Sequence, residues 1–261
     1  MKPLVIRELT LGTGRPKICV PLTGKTEEEI LSQAEAAMKK EPDLLEWRVD
    51  FFDQVEKEEA IAGMCQKLGD KIGQIPLIFT FRSEKEGGNR QISLSDYVDL
   101  LKIAAKQPRT DLIDVELFME QPLMSRIIRD LQQMGKKVIA SNHHFEGTPK
   151  KEIMETILSQ MEEAGADIRK LAVMPRNKEP VWDLLGATIQ AADSGEKPVI
   201  TMAMGQLGCA SRILGELSGS CITFGTAGQS SAPGQMEVGQ LKEILWALRL
   251  DGDEEKMINI K

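Results

Sequence analysis

Short apolar runs of about five residues alternate with amphipathic stretches two to three times as long, from residue 17 almost to the end of the chain. A run too short for a helix predicts a buried strand, and a stretch apolar at every third and fourth position predicts a helix. Two still shorter runs, 4–6 and 9–11, predict a hairpin ahead of Gly12-Thr13-Gly14. The strands then fall at 17–20, 44–49, 77–81, 112–116, 137–141, around 170, and at 198–203 and 221–224. The helices fall at 26–40, 56–68, 95–106, 122–134, 148–164, 180–193, 211–217 and 238–250. Thr26 with Glu29 forms a capping box, Thr148-Pro149 reads as an N-terminal cap, and Gly135 and Gly165 as stops. Eight successive strand–helix units predict a parallel sheet closed into a single (β/α)8 TIM barrel. The expected organisation is one domain over 1–261, with the hairpin inside 1–14 and a polar, acidic tail at 251–261. An open doubly wound sheet would want a glycine-rich turn after its first strand, where this chain has Pro21-Leu22-Thr23-Gly24.

Polar residues inside the strands break the pattern. Lys170 sits in Ile168-Arg169-Lys170-Leu171-Ala172-Val173, and two-residue alternation puts it on one face with Ala172 and Met174. Burial favours the neutral form of an amine, and a neutral amine can attack a carbonyl to form a Schiff base. The competing reading is a lysine that extends its head from a strand end into solvent.

In a barrel, chemistry collects at the C-terminal ends of the strands. Four strands end in polar side chains there: Glu46, Arg48 and Asp50; Arg82 through Glu86; Asp114 and Glu116; and Asn142, His143 and His144. The chain has only these two histidines, and as neighbours on an extended segment they face opposite ways. That argues against a shared metal and leaves one imidazole to move protons beside the lysine. The loops after the last two strands, Met204 to Gly208 and Gly225 to Gly228, are glycine-rich, as phosphate-holding barrel loops are. Arg212, with hydroxyl and amide donors at Ser231 and Gln235, suits a carboxylate equally well. From the residues alone both anions stay open. The small residues over 225–235 also predict a mobile lid.

Composition narrows the partners. A net charge of −7 with no basic cluster speaks against nucleic acid and anionic membranes. Cys19, Cys65, Cys209 and Cys221 have no metal-type spacing and are expected as free thiols in a reducing compartment. Residues 1–10 carry Lys2, Arg7 and Glu8 and do not read as a signal peptide, and no apolar run nears the roughly 20 residues of a membrane span. A cytoplasmic protein acting on a small molecule is expected.

Taken in order, a set of segments resembles the type I 3-dehydroquinate dehydratases. They are Glu46-Trp47-Arg48-Val49-Asp50, Phe79-Thr80-Phe81-Arg82 with Glu86-Gly87-Gly88, Ser141-Asn142-His143, Lys170-Leu171-Ala172-Val173-Met174-Pro175, Ile200-Thr201-Met202-Ala203-Met204-Gly205, Ser211-Arg212, and Thr223-Phe224-Gly225 with Ser231-Ala232-Pro233-Gly234-Gln235. They run from 46 to 235 and cover essentially the whole barrel. The resemblance implies a homodimeric shikimate-pathway enzyme with no metal or organic cofactor. It implies Lys170 as the Schiff-base lysine for the C3 ketone of 3-dehydroquinate. His143 is implied as the base for a C2 proton and the acid for the departing C1 hydroxyl, with Glu86 orienting it. Arg212, Ser231 and Gln235 are implied as substrate-binding, Arg212 toward the carboxylate, and Glu46, Arg48 and Arg82 toward the ring hydroxyls. The chain departs from the pattern at His144, where an acidic or amide residue is commoner, and at Gln229, where lysine is common. Two alternatives remain: a Schiff-base aldolase of a phosphorylated sugar, and a barrel that binds without catalysis.

Overall fold

The computed structural model describes residues 1–228 and 231–250; Gln229, Ser230 and the expected 251–261 tail lie outside them. β1 (Leu4–Ile6) and β2 (Leu9–Leu11) pair as the expected antiparallel hairpin. Eight strands follow: β3 (Lys17–Leu22), β4 (Leu44–Arg48), β5 (Leu77–Thr80), β6 (Leu112–Glu116), β7 (Lys137–His144), β8 (Ile168–Val173), β9 (Val199–Ala203) and β10 (Ile222–Thr226). From β3 to β9 each pairs in parallel with the next, and β10 returns to pair with β3. The last seam, between β9 and β10, is narrow. Cys221 N–H donates to the Val199 carbonyl at 2.8 Å, and Thr201 N–H donates to the Ser220 hydroxyl at 3.0 Å. The sheet thus curls into a (β/α)8 barrel, which a two-residue strand, β11 (Met236–Glu237), extends beside β10.

Helices wrap the outside: α1 (Glu27–Met38), α2 (Glu58–Ile72), α3 (Leu94–Lys106), α4 (Gln121–Gln133), α5 (Lys151–Glu163), α6 (Glu179–Ser194), α7 (Cys209–Ile213), α8 (Gly215–Ser218) and α9 (Val238–Ala247). Their starts show which local signals hold. Glu29 N–H donates to the Thr26 hydroxyl at 3.3 Å, as a capping box requires. The Glu29 carboxylate reaches back one residue further than the box predicts and accepts from Lys25 N–H at 2.7 Å. Thr148-Pro149 does not cap α5, whose cap is Lys150 with no side-chain bond. The segment before it is drawn toward β8 instead, where Met174 N–H donates to the Gly147 carbonyl at 3.2 Å. The helix expected at 211–217 is two short ones, broken at Leu214.

Strand alternation divides the core in two. Leu45, Trp47, Leu77, Phe79, Val138 and Leu171 belong to the shell between sheet and helices. Leu44, Ile78, Leu112, Ile139, Ile168, Ile200 and Ile222 fill the barrel interior together with Ile6 and Leu11 of the hairpin. Two residues further along β4 to β8, in the same phase, stand Glu46, Thr80, Asp114, Ser141 and Lys170, all buried. The apolar layer is a rigid floor; the polar layer is built on it.

Candidate active site

All nine residues singled out in the sequence line one cavity at the C-terminal mouth of the barrel, against an apolar wall of Ala172, Met202, Met204 and Phe224. Lys170 is buried in it. Its Nζ lies 3.0 Å from Asp114 Oδ2, 3.5 Å from Glu46 Oε1 and 4.8 Å above the Phe224 ring. The amine is buried as expected, but strand register also brings two carboxylates to it. Burial works to raise the Asp114 carboxyl, but the Arg82 and Lys170 charges and the Ser141 hydroxyl hold it down at about 2. Asp114 can hold the lysine in place but does not take its proton.

Arg82 is the hub behind this layer. Its Nη2 donates to Asp114 at 2.7 Å, and its Nη1 faces Glu116 at 3.0 Å, Ser141 at 2.9 Å and Glu86 at 3.2 Å. A guanidinium so committed organises the acids more than it offers donors to a ligand. Arg48 differs. Asp50 grips its Nε and Nη2 at 2.8 and 2.9 Å and its plane lies 5.2 Å from the Phe51 ring, while Nη1 has no hydrogen-bond partner among the described residues.

His143 Nδ1 lies 2.9 Å from Glu86 Oε2. The same carboxylate accepts from Asn142 Nδ2 at 2.9 Å and from Arg82, and when it is ionised it accepts from the imidazole Nδ1–H as a further donor. Nε2 is then a free lone pair. Burial pushes the Glu86 carboxyl up, with Arg82 opposing. Burial also holds His143 well below 6.5, reinforced by the Arg82, Lys170 and Arg48 charges. His144 is absent from the cavity lining and its Nε2 is buried without a partner, as opposite-facing neighbours require. The Glu86-Gly87-Gly88 segment needs its glycines: a Cβ at Gly88 would stand 1.8 Å from the Arg82 carbonyl oxygen.

Arg212 closes the other side. It is 2% exposed, and Nη2 donates to the Pro233 carbonyl at 3.1 Å. Nε and Nη1 are buried without a hydrogen-bond partner among the described residues, and burial lowers its pKa from the ordinary value. A buried guanidinium with no counter-ion is a site for an anion. Ser231 and Gln235 stand beside it, bonded to each other twice at 2.9 Å. The Pro233 carbonyl also accepts from Gly205 N–H at 3.1 Å, so the later part of the expected lid is tethered.

Comparison with known proteins identifies the family. The family model for type I 3-dehydroquinase matches residues 18–251. The chain belongs to that family. It is 43% identical to the 3-dehydroquinate dehydratase of Clostridium kluyveri over 92% of this chain and 95% of the relative. The crystal structure of 3-dehydroquinate dehydratase from Geobacillus kaustophilus superposes with a TM-score of 0.92 at 38% identity, covering 95% of this chain and 96% of that one. A type I enzyme from Clostridium difficile, solved with covalently modified comenic acid, gives 0.91 at 42% identity over 95% and 98% of the two chains.

Beside the residues expected for this family, the geometry adds two that the sequence reading left among the polar exceptions, Asp114 on the lysine and Asp50 on Arg48. The signal for Asp114 was present, an acid in the middle of an apolar strand run. The Gln229 departure lies outside the described residues. The direction of the His143 shift sets a pH dependence. A lowered imidazole pKa leaves more free base at every pH below 6.5, so kcat/KM should show no His143 acid limb as pH falls through 6.5. A pH–rate profile with its acid limb at the ordinary imidazole value of 6.5 would contradict the dyad as drawn, whereas a limb at about 8 would report the raised Glu86 carboxyl.

Proposed function

We propose that the chain dehydrates 3-dehydroquinate to 3-dehydroshikimate through a covalent imine on Lys170, without metal or organic cofactor. The observation that carries it is one cavity holding a buried amine, an imidazole whose Nδ1 is held by Glu86, and a guanidinium with no counter-ion among the described residues. Lys170 starts ion-paired and must release a proton before it attacks; His143 is the acceptor in reach of the cavity. The amine adds to the C3 ketone, and loss of water leaves an iminium, whose N–H faces Asp114. The iminium withdraws electrons from C2, so a neutral imidazole suffices to take a C2 proton. The resulting enamine expels the C1 hydroxyl, which leaves as water with the proton returned by His143. Hydrolysis of the imine frees the product and restores the amine.

In this reading Arg212 binds the substrate carboxylate, with Ser231 and Gln235 beside it, and Glu46 and the free edge of Arg48 meet ring hydroxyls. Arg82 contributes by holding Asp114, Glu116 and Glu86 in register. A turnover assay with 3-dehydroquinate, followed by ultraviolet absorbance of the conjugated product, tests the activity. Arg212→Met should raise KM by on the order of 10²-fold, the worth of charge-assisted hydrogen bonds to a carboxylate, while lowering kcat less. Its ligand-free melting temperature should not fall, because an uncompensated buried charge has been removed. Unchanged KM, or a large stability loss, would place Arg212 in the scaffold instead.

We further propose one catalytic domain over the whole chain, working in the cytoplasm as a homodimer. Free Cys19, Cys65, Cys209 and Cys221 support a reducing compartment. Trp182 and Ile189 on α6 and Ile153 on α5, 67%, 42% and 50% exposed, support a surface that meets a second copy.

A further inference from the structure

Asp50 has no exposed surface and touches none of the reacting groups, yet it is among the most heavily bonded acids of the barrel. β4 ends at Arg48, and a single 3-10 turn, Val49–Phe51, swings the Asp50 carboxylate back toward β5. Oδ1 accepts from Arg48 Nε at 2.8 Å and from the backbone N–H of Arg82 at 3.2 Å. Oδ2 accepts from Arg48 Nη2 at 2.9 Å and from the backbone N–H of Asn89 at 3.0 Å. The Asp50 carbonyl accepts from Asn89 Nδ2 at 3.2 Å and Arg90 Nε at 3.0 Å.

Arg82 and Asn89 are the two ends of the loop that carries Glu86. Within that loop Glu86 and Gly88 N–H both donate to the Ser83 carbonyl, while Glu84 N–H donates to the Arg90 carbonyl and closes the loop across its neck. Asp50 thus joins both loop ends to the end of β4, its carboxylate through the Arg82 and Asn89 N–H groups and its carbonyl through Asn89 Nδ2 and Arg90 Nε. The same carboxylate sets the plane of Arg48. Four donors converge on it, so its position is over-determined, and so is theirs.

We infer that Asp50 is a positioning residue for the reaction: it fixes the Arg48 guanidinium at the cavity wall and, through the 82–89 loop, presses Glu86 against His143. This rests on the proposed roles of Arg48, Glu86 and His143. It assigns the orientation of both the hydroxyl-binding edge and the proton-transfer pair to a residue that meets neither substrate nor Lys170. An amide in its place keeps the shape, but turns one acceptor oxygen into a donor facing donors.

Asp50→Asn in the full chain tests it with two readouts. The first is the His143 titration, followed by NMR of the imidazole, which needs no turnover and is assignable because the chain has only His143 and His144. Around His143 stand Glu86 of the 82–89 loop, Arg82 after β5, Lys170 of β8, Arg48 of β4 and its neighbour His144, the same in both proteins. With the loop released, water enters the pair and His143 should titrate measurably nearer 6.5 than in wild type. The second readout is kinetic: KM should rise about tenfold or more through Arg48, with kcat also reduced. If Asp50→Asn folds poorly, Arg90→Ala loosens the same clamp from outside the cavity and should shift both readouts in the same direction by less. A folded Asp50→Asn protein with wild-type titration and wild-type KM would overturn the inference. So would an activity loss matching the loss of folded protein while the titration stays put. Failure of wild type to turn over 3-dehydroquinate would count against the function, whereas the titration still decides the role of Asp50.

Discussion

Lys170→Ala is expected to lower turnover of 3-dehydroquinate by on the order of 10⁴-fold or more, because it removes the atom that forms the covalent intermediate. No other lysine among the described residues lines the cavity, so none of them substitutes for it. The residual rate should reflect binding and His143 alone. Stability should change modestly, since Asp114 keeps Arg82 and Ser141, and Glu46 keeps the hydroxyl of Thr80 at 2.9 Å. Lys170→Met, which preserves the stem, should fold like wild type and be equally inactive. A variant at position 170 that retains more than about a tenth of wild-type kcat would rule out covalent catalysis there.

His143→Ala should cost a general acid–base factor of about 10² to 10⁴ in kcat. The same imidazole serves several proton transfers, so the loss belongs nearer the upper end. His144→Ala should cost little, because its ring lies outside the cavity on the other face of β7. The comparison is sharper than either variant alone. The two histidines are adjacent, so a local backbone disturbance would affect both, whereas removal of the base affects one. Equal losses at the two positions would mean that the strand phase at the end of β7 is misassigned.

Much of this was legible in the sequence because alternation and amphipathic period are local properties. Lys170 with Ala172, and His143 opposed to His144, needed only the two-residue repeat. The hairpin bounds and 112–116 emerge unchanged, and the eight-unit count gave the closed topology. What escaped depends on register between strands. Asp114 reaches Lys170 from β6 across β7, and no single stretch of sequence says that Asp114 pairs with Ile139 while Ser141 pairs with Lys170. The lysine was expected buried; that it is ion-paired to Asp114 and Glu46 is what register adds. Asp50 was expected with Glu46 and Arg48 among the polar side chains that end their strand; the strand ends at Arg48, and the turn that follows redirects the carboxylate into the loop clamp. The glycine-rich loops left phosphate and carboxylate equally open. The structure adds that Arg212 has no counter-ion among the described residues, a fact about packing that composition does not encode.

The most direct test of the account is to trap the imine. Protein incubated with 3-dehydroquinate and borohydride should lose activity irreversibly and gain one ligand-derived mass per chain, and peptide mapping should place it on Lys170. Borohydride without substrate should do neither. An adduct on another lysine, such as Lys136 or Lys137, or full turnover with no adduct formed, would contradict it.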